Sequence, residues 1–131
     1  MIYLDASAAL KLFINETESA DLYDFLLAQQ NIFSSTLLEV ELSRALRRLN
    51  KPLDAIEPFL AGFNLIEIDQ EIVSRARSLT LHLKSLDAIH LASAMFINSA
   101  RNPVSLVSYD LKLLEAAKQL GLTVLSPGLS E

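Results

Sequence analysis

Four acidic residues of this chain stand where one element of structure is expected to end or another to begin. They are Asp5, Glu41, Asp87 and Asp110. Carboxylate oxygens are ligands that Mg²⁺ and similar cations prefer, and a metal held by them can offset charge on a phosphate. Acids so far apart in sequence act together only if the fold gathers them. They predict metal-dependent phosphodiester chemistry if the intervening elements bring them to one place.

Each acid also has a purely structural interpretation. Asp5 ends an apolar strand, and either Asp5 or Ser7 could cap the next helix. Asp110 could likewise cap the last helix. Asp87 lies in the first turn of a very apolar helix, where Ser85 could be the N-cap and the helix dipole favours an acid. The recurrence of acids at such junctions favours a shared metal site over unrelated caps.

The third helix contains two glutamates for which the sequence predicts different roles. Thr36 and Glu39 match the capping-box pattern, which predicts that Glu39 bonds back to the helix start. Glu41 lies further in and begins a stripe that continues through Arg44 and Arg48. Glu41 is therefore the candidate for the site.

Basic residues follow Glu41 along this helix, and His90 follows Asp87 along another. Arg44, Arg48 and Lys51 could contact a phosphodiester backbone that approaches the acids. They could equally form a solvated face that complements the C-terminal helix dipole. For His90 a hydrogen-bonded structural role is favoured over that of a base, because no serine completes a nucleophilic triad.

The elements that must position these side chains alternate between strand and helix. Strands are predicted at 2–5, 32–34, 65–68, 103–108 and 122–125. Helices are predicted at 6–14, 18–29, 36–49, 52–63, 70–81, 85–98 and 111–120, with Pro52 opening the fourth, Gly121 ending the last, and a tail at 126–131. Such alternation predicts an α/β domain with a mostly parallel sheet, whose sites lie beyond the carboxyl ends of the strands.

Composition narrows the class of protein. The 131 residues, 51% of them hydrophobic, suit one domain over 1–131. No uncharged apolar run is long enough for a membrane span, and the N-terminus does not resemble a secretory signal, so a cytoplasmic protein is expected. The absence of cysteine excludes thiolate chemistry. A net charge of −5 argues against a general nucleic-acid binder and suits a partner with a basic segment.

The acids also lie in segments that resemble a known family. The segments are Asp5-Ala-Ser7 after the first strand, Glu41-Leu in the third helix, Leu86-Asp87-Ala-Ile-His-Leu-Ala, and Ser108-Tyr-Asp110 with the helix that follows. In order and spacing they resemble the PIN-domain nucleases from residue 2 to about 126. The size is similar to that of VapC-type toxins of toxin–antitoxin pairs.

The resemblance implies a fold and a site. The fold is a three-layer α/β/α sandwich with a parallel sheet of about five strands, the first central and the fourth beside it. The catalytic acids that hold Mg²⁺ or Mn²⁺ are Asp5, Glu41, Asp87 and Asp110. The hydroxyls of Ser7 and Ser108 stand beside the first and last acids, although many relatives carry threonine where Ser108 stands.

The resemblance also implies an activity and partners. The chain would be a metal-dependent ribonuclease and a homodimer. Arg44, Arg48 and Lys51, selected from the helix pattern, would then be the residues that contact RNA. An antitoxin peptide with basic side chains would occupy the acidic groove. We expect metal to stabilise the fold, because the carboxylates repel one another without it.

Other functions fit parts of the sequence. An RNA-processing nuclease of the same fold, outside any toxin–antitoxin pair, would look much the same. A haloacid-dehalogenase-like phosphohydrolase would need a second aspartate where Ser7 stands. A receiver-like signalling domain would need paired acids near the first strand and a late lysine, where Ser126 and Pro127 stand instead. A partner-binding module that has lost catalysis would not need all four acids.

Overall fold

Five short parallel strands form one sheet at the centre of the computed structural model, which describes residues 1–129. The strands are β1 (Ile2–Leu4), β2 (Ile32–Ser35), β3 (Asn64–Ile66), β4 (Ser105–Val107) and β5 (Thr123–Leu125). Their order across the sheet is β3-β2-β1-β4-β5, and every neighbouring pair is parallel. The first strand is therefore central with the fourth beside it, as the resemblance implies.

Helices cover both faces of this sheet. They are α1 (Ala6–Lys11), α2 (Ser19–Leu27), α3 (Leu37–Arg48), α4 (Ile56–Leu60), α5 (Gln70–Ser78), α6 (Ser85–Ile97) and α7 (Leu111–Gln119). Side chains of β1 alternate between the faces, because successive strand residues point to opposite sides. Ile2 and Leu4 pack with α1 to α4, whereas Tyr3 packs with α6 and α7. The predicted three-layer α/β/α sandwich is confirmed.

The predicted start of the fourth helix is wrong. It begins at Ile56 rather than Pro52, because the chain is still closing α3 at Asn50 and Lys51, directly before the proline. Asn50 adopts a left-handed backbone with φ of 55°, and the Lys51 N–H donates to the Leu46 carbonyl at 2.9 Å. This Schellman closure carries the chain away from helical geometry before Pro52. The proline in the first turn of α4 is Pro58.

The predicted capping box at α3 is also wrong. Thr36 already has helical backbone angles and makes no side-chain cap bond, whereas an N-cap residue normally has an extended backbone. The hydroxyl of Ser35 instead accepts the Leu37 N–H at 3.0 Å. At α6 the N-cap position belongs to Lys84, and Ser85 is the first helical residue.

The segment after β5 returns to the end of β4. Ser126 Oγ donates to the Ser108 carbonyl at 2.6 Å, and Tyr109 Oη donates to the Pro127 carbonyl at 2.6 Å. The last two residues of the predicted tail lie outside the described residues. Between residues 1 and 129 no helix is long and apolar enough to cross a bilayer.

Gly121 ends α7, as predicted, and its backbone gives a test of the fold. Its φ is +87°, in the left-handed region, and the Leu122 N–H behind it closes the helix on the Ala117 carbonyl at 3.0 Å. We expect Gly121→Ala to lower the free energy of unfolding by about 1–2 kcal/mol in urea titrations, because a Cβ disfavours this conformation. Gly62→Ala is the control, since its backbone is outside that region and its new Cβ would meet only Phe59 O at 3.7 Å. Equal losses in both variants would contradict this account.

Candidate active site

Asp5 is the first residue beyond the central strand, and its carboxylate is almost fully buried, with 3% of the residue exposed. Its Oδ1 accepts the Ala8 N–H at 3.0 Å, so Asp5 does cap α1. Burial raises the pKa of the Asp5 carboxyl, and hydrogen bonds from Ser108, Ala8 and Ser7, with the charge interaction of His90, oppose that rise. Asp5 can therefore be both the N-cap of α1 and a member of the candidate site.

Two serine hydroxyls connect this carboxylate to the end of β4. Ser108 Oγ donates to Asp5 Oδ2 at 2.7 Å, and Ser7 Oγ donates to Asp5 Oδ1 at 2.8 Å. Each hydroxyl also accepts a backbone N–H at 3.0 Å, Ser7 from Tyr109 and Ser108 from Asp110. The chain leaving β4 is thus fixed against Asp5, which brings Asp110 to the same edge of the sheet.

Asp110 and Asp87 stand at the starts of two helices beyond this edge. Asp110 Oδ1 accepts the N–H groups of Lys112 at 3.0 Å and Leu113 at 3.2 Å, so it caps α7 through one oxygen. Asp87 lies half-buried in the first turn of α6. Burial raises the pKa of Asp87, and the negative charges of Asp110, Asp5 and Glu41 raise it further. The other three predicted acids therefore all lie close enough to Asp87 to act on its charge.

Glu41 reaches this cluster from the interior of α3 rather than from a junction of elements. Its Oε1 lies 2.6 Å from His90 Nε2, and His90 Nδ1 lies 2.8 Å from Tyr3 Oη. His90 is 1% exposed and Tyr3 is fully buried. The sequence indicated a hydrogen-bonded His90 but not its two partners, because neither is near it in the chain.

The donor atoms of the cluster fit a hard divalent cation. They are carboxylate and hydroxyl oxygens, the ligand type that Mg²⁺ and Mn²⁺ take in proteins. Among residues 1–129, no three acidic or histidine side chains stand close enough to ligate one ion together. Mg²⁺ commonly keeps several waters and binds through one or two carboxylates, so Asp5, Glu41, Asp87 and Asp110 could hold it in that manner.

Two grooves meet the acids from different helices. The arginine groove, of about 350 Å³, includes Glu41, Arg44 and Arg48 on α3 and the partly exposed side chains of Val40 and Leu86. Lys51 lies beyond the end of α3, on an exposed turn. The arrangement therefore brings two of the three predicted basic residues to the groove wall.

The lysine groove, of about 660 Å³, contains Asp87 and Asp110 together with Lys84, Lys112 and His82. These lysines are not among the basic residues predicted from the sequence. A signal was present, since Lys84 stands three positions before Asp87 and Lys112 two positions after Asp110. Basic residues so close in sequence to candidate acids at helix starts are candidates for the same site.

The central parallel sheet and the acids at its carboxyl edge define an α/β domain with a candidate metal centre. The chain belongs to the PIN domain family, which it matches over residues 2–119. It is 44% identical over 132 residues to ribonuclease VapC35 of Mycobacterium tuberculosis, and the alignment covers 98% of each chain.

Solved structures agree on the fold. VapC20 of Mycobacterium tuberculosis, described as a sarcin–ricin loop cleaving toxin, superposes with a TM-score of 0.73 at 12% identity, covering 97% of this chain and all of that one. A chain of a toxin–antitoxin complex from Klebsiella pneumoniae gives a TM-score of 0.72 at 22% identity, covering 97% and 98%. At these identities the likeness is one of fold alone.

The hydroxyl of Ser108 offers a direct test of how Asp5 is held. We expect Ser108→Ala to lower the free energy of unfolding by about 1–3 kcal/mol, because the buried Asp5 Oδ2 then keeps only the Ser7 hydroxyl at 3.0 Å and the Asp110 N–H loses its partner. Urea denaturation at neutral pH measures this. Ser43→Ala is the control, since that hydroxyl bonds the Glu39 carbonyl on an exposed part of α3. A loss no greater than the control's would refute the account.

Burial of Asp87 and repulsion by the other acids predict a pH-dependent stability. The pKa of Asp87 is raised above its usual 3.8 in the folded state, so ionised Asp87 destabilises the fold above that raised value. We expect Asp87→Asn to raise the melting temperature at pH 7 in EDTA, and the gain to disappear below about pH 3.8, where both states are protonated. Asp24→Asn, on the exposed face of α2, should show no such gain. A lower melting temperature for Asp87→Asn at pH 7 would be inconsistent with net repulsion.

Proposed function

We propose that this chain is a metal-dependent ribonuclease that hydrolyses RNA phosphodiester bonds in the cytoplasm as the toxin of a toxin–antitoxin pair. The observation that carries the proposal is the convergence of four carboxylates at the carboxyl edge of the sheet, where hydroxyl donors surround the buried Asp5 and where burial and the other three acids raise the pKa of Asp87. Such an arrangement lowers the stability of the fold and provides negatively charged oxygen ligands for a cation. The choice of RNA as substrate is supported by the 44% identity to a protein named a ribonuclease.

The acids would hold Mg²⁺ or Mn²⁺, with Asp5, Glu41, Asp87 and Asp110 supplying or orienting the oxygen ligands. When bound, the cation supplies a more acidic water and offsets charge on the phosphate and the leaving oxygen. Ser7 and Ser108 orient Asp5 by donating to its carboxylate and do not need to touch the metal. Their backbone acceptor bonds keep both hydroxyl protons directed at Asp5.

The two grooves provide a path for a strand of RNA across the acids. Arg44 and Arg48 would contact phosphates on one side, and Lys84 and Lys112 would contact phosphates on the other. Lys51, past the end of α3, would extend the first side. Local cations of this kind reconcile phosphate binding with a net charge of −5, because the acids are neutralised by the metal where the backbone crosses them.

The antitoxin would occupy the arginine groove. Val40 and Leu86 are 55% and 47% exposed beside Glu41, so an apolar peptide face carrying a basic side chain would be complementary there. Fold likeness to a chain of a toxin–antitoxin complex is consistent with such a partner. A homodimer is proposed on the family resemblance alone, and sedimentation of the purified chain measures it.

Cleavage of a pool of structured RNA tests the activity. We expect cutting with Mg²⁺ or Mn²⁺ and none with EDTA, and we expect Asp87→Asn to lower the rate by at least about a hundredfold, since removing an electrostatic group commonly costs that much. Asp24→Asn is the matched control and should cut like the wild type. Sequencing the fragments would identify the bond that is cut.

The outcomes separate the alternatives. Cutting of many RNAs with no arrest of growth on expression would favour an RNA-processing nuclease over a toxin. No cutting of any RNA, with no effect of metal on melting temperature, would leave a partner-binding module.

The lysine groove gives its own prediction. Lys84→Gln and Lys112→Gln should each weaken binding of a short RNA, measured with Ca²⁺ in place of Mg²⁺, and each should lower the slope of log affinity against log salt by about 0.7. The reason is that a protein with one lysine fewer displaces fewer counterions when it binds a single strand of RNA. Lys118→Gln on the exposed end of α7 is the control and should leave the slope unchanged. An unchanged slope in all three variants would remove the lysine groove from the RNA path.

A further inference from the structure

A buried chain of hydrogen bonds runs from the central strand to one of the four acids. Tyr3 Oη lies 2.8 Å from His90 Nδ1, and His90 Nε2 lies 2.6 Å from Glu41 Oε1. The Tyr3 and His90 rings also meet edge to face, with centroids 5.8 Å apart. These residues come from β1, α6 and α3, so the chain joins three elements of the fold.

The carboxylate fixes the direction of one of these bonds. The Glu41 carboxylate accepts, so His90 Nε2 carries a proton and donates it. His90 Nδ1 and the Tyr3 hydroxyl share the second hydrogen bond. Burial, with the charges of Asp5 and Glu41, raises the pKa of Tyr3, which keeps this hydroxyl protonated.

Packing alone does not explain an imidazole at this position. Leu91, Ala92 and Ala94, which follow His90 on α6, are apolar and buried, and a polar ring in such surroundings costs free energy unless both nitrogens are bonded. An apolar side chain would fill the space without that requirement. The imidazole is explained by its hydrogen bond to Glu41, whose long side chain reaches the site from the middle of α3.

We propose that His90, itself oriented by Tyr3, is the positioning residue that fixes the Glu41 carboxylate for the metal. The inference rests on the proposed function for its metal and extends it to two residues that touch neither metal nor RNA. Holding Oε1 on His90 leaves Oε2 of Glu41 to serve the cation. Loss of such a support to a ligating group typically weakens metal binding by about 10–100-fold.

Binding of Mn²⁺ alone, followed by the electron paramagnetic resonance of the free ion, tests this without any RNA. We expect His90→Leu to weaken Mn²⁺ binding by about 10–100-fold and Tyr3→Phe to weaken it in the same direction by less. Glu41→Gln should weaken it too, and His90→Leu added to Glu41→Gln should cause little further loss, because both act through one carboxylate. His90→Gln, which retains an N–H donor, should recover part of the affinity.

Leu91→Ala is the stability control. It creates a cavity in the same helix without touching the hydrogen-bonded chain, so it should lower the melting temperature yet leave Mn²⁺ affinity close to that of the wild type. A loss of affinity in Leu91→Ala as large as in His90→Leu would mean that His90 acts only through stability, and would overturn the proposal.

Nitrogen NMR of the two histidines supplies a second readout. With His82→Gln used for assignment, His90 should carry a proton on Nε2, and Tyr3→Phe should alter the Nδ1 signal. A ring with no proton on Nε2 would overturn the proposed bond to Glu41.

The results also separate this inference from the proposed function. Unchanged Mn²⁺ affinity in His90→Leu, with RNA still cut by the wild type, would sink the inference alone. Weakened Mn²⁺ binding in a protein that cuts no RNA would support the positioning role and remove the nuclease. A wild type that binds no Mn²⁺ would overturn both.

Discussion

The rest of the structure depends on how the chain satisfies one buried carboxylate. Asp5 lies directly beyond the central strand, where it is almost fully buried, and a buried ionised group without partners destabilises a fold severely. Its donors are a helix N–H and the hydroxyls of Ser7 and Ser108. Because Ser108 comes from the end of β4, satisfying Asp5 also fixes the place where the chain leaves its neighbouring strand. The hydrogen bonds that stabilise the Asp5 carboxylate are therefore the same bonds that position the other residues of the site.

Capping and site formation are not alternatives in this molecule. Asp5 and Asp110 each use one carboxylate oxygen to accept helix N–H groups, and such a cap orients the rest of the carboxylate. Helix starts at the carboxyl edge of a parallel sheet are therefore places where acids are both tolerated and aimed at a common point. The cost of gathering them appears in the raised pKa of Asp87. A cation would convert that repulsion into binding energy.

Sequence patterns predicted the order of elements well and their ends less well. Apolar runs and helical periodicity predicted every strand and helix of the described chain, because burial on a sheet or helix face imposes those periods. The errors lie where more than one residue could make the same local bond or where a neighbouring element changed the backbone. Ser35, not Thr36, accepts a backbone N–H at the start of α3, and the closure of α3 through Asn50 delays the start of the helix expected from Pro52. Short-range motifs state what a residue can bond, and the neighbours decide whether it does.

The sequence by itself determined the fold class, the family and the candidate acids, because these depend on residue types and their order along the chain. Only the tertiary structure decided what surrounds the acids. The Tyr3–His90–Glu41 bonds join residues 87 and 49 positions apart, and the Ser108 bond to Asp5 joins residues 103 positions apart. The lysine groove likewise needs the starts of α6 and α7 side by side. Hydrogen bonds and charges act over a few ångströms in space, whatever the separation in sequence, so no local pattern encodes them.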